Sequence, residues 1–204
     1  MKEIAMMVMV TTIICSFSAA WLGALDSGLK NRISRQQDYF VRGPAIMELF
    51  AGCPTNPLAD RVTMTLGKDY ISIYPWIEKG KVRRIILERC GHGGYGGDVV
   101  VMTAVDLESN RIHGVRVTRH KETPGVGTRA MEPSYLNKYI SLLVIDDIKL
   151  KNDGGQIDAI TGATRSSTAI ANGVDRAAKF VLTNKEKIIK SILGNRALDR
   201  EELP

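Results

Sequence analysis

The chain has 204 residues, 44% hydrophobic and 25% charged, which fits one globular domain with or without an appendage and excludes both a wholly disordered chain and a polytopic membrane protein. Its net charge of +6 comes from 28 basic residues scattered among 22 acids. No run of like charge reaches five and aromatics are only 6%, so no nucleic-acid partner is expected.

From Ile4 to Leu25 there are 22 residues without a charge. As a helix they would span roughly 33 Å, enough for a hydrocarbon core of about 30 Å. Trp21 sits near the second end, where an amphipathic ring favours the interface. A cleaved signal peptide ending near Ser18-Ala19-Ala20 is one reading. A retained anchor over residues 1–28 is the favoured one, because the stretch exceeds the usual length of a signal-peptide apolar region. Thr11, Thr12, Ser16 and Ser18 either pack against another membrane helix or bond their own helix carbonyls. Lys30, Arg32 and Arg35 outnumber Lys2, so a positive-inside count alone would put the following domain in the cytoplasm.

Residues 26–42 read as a juxtamembrane helix or linker. Pro44 to Phe50 reads as a short helix, since proline suits a first turn, and Gly52 to Pro57 as a loop. The β pattern is expected to begin at Lys81, with one strand ending near Cys90. Five glycines in the seven residues Gly91–Gly97 preclude regular structure there. Val99–Val105 and Ile112–Thr118 are strands joined by a turn at Asp106–Asn110, a hairpin. Leu142–Leu150 is expected to be a further strand. From Ser166 onward Ile170, Val174, Ala177, Ala178 and Val181 recur at helical spacing. That helix is expected to break near Thr183-Asn184 and to give way to a charged tail over 196–204.

Neither phosphate-binding glycine fingerprint is present. Gly91–Gly97 is either a flexible hairpin loop or a close approach to a ligand with Tyr95 supplying a ring. Thr123-Pro124-Gly125 is a turn. Thr161-Gly162-Ala163-Thr164 lies just before a helix, where free amides and the positive dipole end suit a phosphate. The competing reading is an N-cap. Three cysteines give no disulfide framework, and no metal cluster is apparent. Cys15 reads as a small apolar residue of the span. Spacing does not give the Cα separation that a Cys53–Cys90 bridge requires.

Taken together, Gly94-Tyr95-Gly96-Gly97, His120-Lys121-Glu122-Thr123-Pro124-Gly125-Val126-Gly127 and Asp158-Ala159-Ile160-Thr161-Gly162-Ala163-Thr164 resemble the FMN-binding domain found in the G subunit of Rnf electron-transport complexes. The likeness covers about residues 90–182. A sibling family is the C subunit of the sodium-translocating NADH:quinone reductase. Val126 stands where leucine is commoner in the family.

The resemblance implies an α+β fold: one N-terminal transmembrane helix, then a mixed α/β FMN-binding domain with antiparallel strands and a C-terminal helix. It implies FMN held covalently through its phosphate to Thr164, attached by a separate flavin transferase with FAD as donor. Thr161, Gly162, Ala163 and Ser167 would shape the phosphate end. Glu122, Thr123, Pro124, Gly125 and Tyr95 would line the ring or ribityl chain, and His120 and Lys121 are expected to be solvated. The implied protein is a single-pass inner-membrane subunit with residues 29–204 outside the cytoplasm. It would relay electrons among the other Rnf subunits in ferredoxin:NAD oxidoreduction coupled to ion movement, without being a complete enzyme itself. Its alternatives are a component of the quinone-reductase sibling type and an anchored module without redox chemistry.

Overall fold

The computed structural model describes residues 2–66 and 69–201. The chain divides into two compact units, Met1–Arg42 and Gly43–Pro204.

The first unit is one helix, α1, Lys2–Gln37, ending in a π-helical turn over Asp38–Arg42. Its first 29 residues, Lys2–Lys30, are long and apolar enough to cross a membrane. The Thr12 hydroxyl donates to the Val8 carbonyl at 2.7 Å and Ser27 to Gly23 at 2.8 Å, and Thr11 likewise bonds back to Val8. Thr11 and Thr12, two of the four residues in the second reading, thus bond their own helix carbonyls. The helix continues well past residue 28, so the polar stretch expected as helix or linker is helix. An ion pair between Arg42 and Asp38 at 2.7 Å closes the last turn.

The second unit opens with α2, Gly43–Leu49, the short helix expected at Pro44. Five strands follow: β1 Val62–Leu66, β2 Asp69–Glu78, β3 Lys81–Gly91, β4 Val99–Asp106 and β5 Arg111–Arg119. They form an antiparallel meander in chain order. The sheet therefore begins about twenty residues before the expected start at Lys81. Both faces are covered. One packs Val101, Val115, Ile85 and Leu87 into the main core, while on the other Tyr74, Ile86 and Met102 meet Ile46 and Leu49 of α2 and Phe50 just after it. That is why Val99–Val105 reads as a continuous apolar run: all seven residues are buried. Asp106 accepts amide hydrogens from Glu108 and Ser109 at 3.0 and 2.9 Å, which makes the expected turn into β5.

After β5 the chain runs through 3-10 turns at Gly127–Met131 and Asn137–Tyr139 and one helical turn, α3, Pro133–Leu136. Leu142–Leu150 is not a strand. It makes two isolated bridges, Leu143 to Arg111 and Leu150 to Ile157, while Val144, Ile148 and Leu150 are buried and Ile145 is exposed. The segment closes the core as an irregular lid on the sheet, tied down by the Asp175 carboxylate, which accepts the Ile148 amide at 3.2 Å.

The last element, α4, runs unbroken from Thr164 to Glu201, 38 residues or about 57 Å. The break expected at Thr183-Asn184 does not occur. Thr183 and Asn184 donate back to the carbonyls of Lys179 and Phe180 at 2.9 and 3.0 Å, so both polar side chains are satisfied inside the helix. The expected tail is helical to Glu201, and residues 202–204 lie outside the described residues. Ala169, Ile170, Val174, Ala177 and Val181 bury one face of α4 in the main core. The crossing is close: a Cβ at Gly91 would lie 1.8 Å from the Ala169 carbonyl oxygen. Cys15, Cys53 and Cys90 are free thiols.

Candidate functional site

Three loops meet at the start of α4: the β3–β4 loop, the turn after β5, and the stretch entering the helix. Between them is an open cavity of about 460 Å³, lined by Tyr95, Glu122, Thr123, Val126, Gly127 and residues Gly162–Ser166. That volume lies within the range of small-molecule sites.

Glu122 is the joint of the three loops. It is buried, and its two oxygens serve two different segments. Oε1 accepts the Gly96 amide at 3.0 Å and Oε2 accepts the Ser166 hydroxyl at 2.7 Å. Its own amide donates to His120 Nδ1 at 3.2 Å. Gly127 faces this carboxylate so tightly that a Cβ there would lie 2.4 Å from Oε2. The Thr123 carbonyl accepts the amides of Val126 and Gly127 at 3.2 and 3.1 Å, so Thr123-Pro124-Gly125 forms the expected turn.

At the helix, Gly162 has φ +81°, a conformation that glycine adopts without cost, and it turns the chain so that Thr164 begins α4. The first amides of a helix have no partner within it. Thr161 and Thr164 are exposed, whereas Ala163, Ser166 and Ser167 are buried. Ser167 accepts the Ile160 amide at 3.2 Å and Ser166 donates to Glu122, so both hydroxyls serve the packing of the loops. Arg165 Nε donates to the Gly93 carbonyl at 3.4 Å, tying the helix start to the glycine-rich loop.

Of the ten positions singled out from the sequence, the structure brings Tyr95, Glu122, Thr123, Gly162, Ala163 and Thr164 to the cavity wall. Pro124, Gly125 and Thr161 stand beside it in the same turns, and Ser167 is in the interior. His120 and Lys121 are exposed. The sequence places Arg165 where it could pair with a phosphate, but it says nothing of the bonds that Arg165 and Ser166 make across the site. Both lie in the first turn of α4, but their partners are 44 and 72 residues away, and only the folded chain reveals them.

Residues 94–179 match the family described as FMN-binding domain. The chain is 32% identical over 123 residues to the G subunit of the ion-translocating oxidoreductase complex of Buchnera aphidicola subsp. Baizongia pistaciae (strain Bp), covering 55% of this chain and 57% of that protein. Against the protein of the same name in Vibrio vulnificus (strain YJ016) it is 30% identical over 136 residues, covering 63% and 64%. The similarity to the G subunit carried by the three motifs is therefore shown, over less than two thirds of those relatives' length. Among solved structures, NqrC of Shewanella oneidensis aligns with 20% identity and a TM-score of 0.44, over 60% of this chain and 67% of that one.

The site's donor set fits FMN. A helix N-terminus with an adjacent arginine suits a phosphate, the exposed Thr164 hydroxyl lies in the cavity wall, and the cavity has room for a planar ring beside Tyr95.

Proposed function

We propose that this chain is a membrane-anchored flavoprotein subunit that carries FMN on Thr164 and relays electrons within an ion-translocating ferredoxin:NAD oxidoreductase complex. The observation that carries this reading is the placement of Thr164. Of the four hydroxyls in Thr161–Ser167, it alone is both exposed and in the cavity wall. Attachment takes the hydroxyl proton from Thr164 and forms a P–O bond to the flavin-bearing phosphorus of FAD, with AMP leaving. A threonine hydroxyl is a poor nucleophile without a base and a bound metal, which the separate flavin transferase would supply.

Bound FMN supplies reversible one- and two-electron chemistry. The chain's own residues position it. Gly162 and Ala163 leave the threonine open to the transferase, the first amides of α4 and Arg165 face the phosphate, and Glu122 fixes the two loops that flank the ring. Covalent attachment suits a subunit outside the cytoplasm, where no flavin pool exists from which to reload. The partners in this reading are the other membrane and redox subunits of the complex and, during maturation, the transferase.

The test is Thr164→Ala co-expressed with a flavin transferase. Intact mass should lack the FMN adduct while far-ultraviolet circular dichroism stays that of the wild type, because an exposed hydroxyl contributes little packing. An adduct at full yield in this variant would overturn the assignment, and would point to Thr161, the other exposed hydroxyl of that stretch, or to Thr123 across the cavity.

A further inference from the structure

Beside the cavity, on the outer side of the β3–β4 loop, three side chains of metal-ligating type converge. Cys90 and Gly91 pair with Val100 and Val99 at the end of the β3–β4 ladder, so the loop closes with His92 facing Asp98. His92 Nδ1 is 3.9 Å from Cys90 Sγ and 2.9 Å from Asp98 Oδ1. All three donor atoms lie within 4.8 Å of one another. We propose that Cys90, His92 and Asp98 form a three-ligand site for a zinc-class divalent ion, with the fourth position open to water.

The distances suit the ion. Zinc–sulfur bonds of about 2.3 Å and zinc–nitrogen and zinc–oxygen bonds of about 2.0 Å give tetrahedral edges of roughly 3.3–3.6 Å, which the observed separations bracket. A thiolate and an imidazole select zinc over magnesium or calcium. His92 and Asp98 are exposed and Cys90 is half-buried, so the ion has a path in from solvent. The sequence shows no cluster because the three ligands come together only when the glycine-rich loop closes.

A fourth side chain sets the affinity. Arg176 Nη1, from α4, lies 2.7 Å from His92 Nε2 and 2.8 Å from the Cys90 carbonyl oxygen. A guanidinium can only donate, so Nε2 accepts and the ring proton sits on Nδ1, shared with Asp98. Metal binding reverses this. Nδ1 takes the ion, its proton passes to Nε2, the thiol proton goes to solvent, and Arg176 keeps only the Cys90 carbonyl. Arg176 therefore competes with the ion, and the site fills only when the free ion is abundant. Filling it pins the loop whose other residues, Gly93, Tyr95 and Gly96, contact Arg165, the cavity and Glu122.

The experiment uses the full-length protein in detergent micelles, zinc ion alone as probe, and iodoacetamide alkylation read for each cysteine by peptide mass spectrometry. Zinc should slow alkylation of Cys90 by about tenfold or more and leave Cys53 unchanged. His92→Ala and Asp98→Asn, both at exposed positions, should abolish that protection. Arg176→Met should reach half-protection at about tenfold lower zinc, because the charged hydrogen bond to His92 that the ion must break is gone. No protection of Cys90, equal protection of Cys53, or protection that survives both ligand variants would overturn the site. An unchanged zinc requirement in Arg176→Met would overturn the assignment of Nδ1 as ligand.

Discussion

Glu122 holds its place through two donors that reach it from opposite sides, the Gly96 amide and the Ser166 hydroxyl. Truncation to alanine would leave the buried Ser166 hydroxyl without its acceptor, at about 1–3 kcal/mol, and release the exposed Gly96 amide from the loop. Glu122→Gln is milder, because the Ser166 hydroxyl can rotate to accept from the new amide while the remaining oxygen keeps Gly96. The expected outcome is a melting temperature lowered by several degrees in Glu122→Ala with weakened flavin visible circular dichroism, and a near-normal value for both in Glu122→Gln. Equal losses in the two variants would show that the negative charge, and not the acceptor geometry, matters. From the sequence Glu122 reads as a wall of the ring or ribityl site. Its position was legible, since it sits inside a distinctive turn motif, but its bracketing role was not, because its partners lie on another loop and on α4.

Among the elements, the hairpin β4–β5 and the long helix α4 were readable because their signals are local: an apolar run, an Asp-led turn, and a repeat of three and four. The hairpin β1–β2 carries a period-two pattern, Val62, Met64, then Ile71 and Ile73, yet a proline in the second strand and a glycine between the two break it up. Leu142–Leu150 misleads in the other direction. Its apolar residues seal the core, and it meets the edge of β5 only at Leu142–Val144 before turning away. The attachment of α2 is also invisible in the sequence. Arg116 on β5 grips Glu48 with two N–H groups, one of them Nε at 2.9 Å. That hydrogen bond holds the Glu48 carboxyl below its ordinary value near 4.5. A depressed carboxyl stabilises the fold fully above its unfolded pKa, and the contribution fades as pH falls through the folded one. Glu48 is more than half exposed, so the effect is modest. Glu48→Gln should lower the melting temperature at pH 7 by a few degrees, about 0.5–1 kcal/mol, and the gap to the wild type should begin to narrow as pH falls below about 4.5 and close below the folded pKa. A gap that does not narrow as pH falls would mean the side chain acts through packing.

For the molecule entire, one apolar stretch foretells the helical segment, and the family resemblance implies the α+β domain that follows; which side of a membrane holds that domain is a separate matter. Lys30, Arg32 and Arg35 follow the apolar stretch and would keep residues 29–204 in the cytoplasm if charge alone decided. The proposed attachment of flavin to Thr164 outside the cytoplasm requires the opposite. A C-terminal reporter active only after export should therefore be active, and one active only in the cytoplasm should be silent; the reverse would overturn both the topology and the access of an exported transferase to Thr164. Within the domain, β4 has a neighbour strand on each side and a covered face above and below. Its amides can meet solvent only when everything around them lets go. Deuterium uptake along Val99–Val105 should thus proceed at the rate of global opening and serve as a gauge of the domain's total free energy, while the exposed Gly93 and Gly97 of the loop upstream label much faster. Any variant that slows uptake in that loop alone has altered the site, and one that quickens β4 has altered the fold.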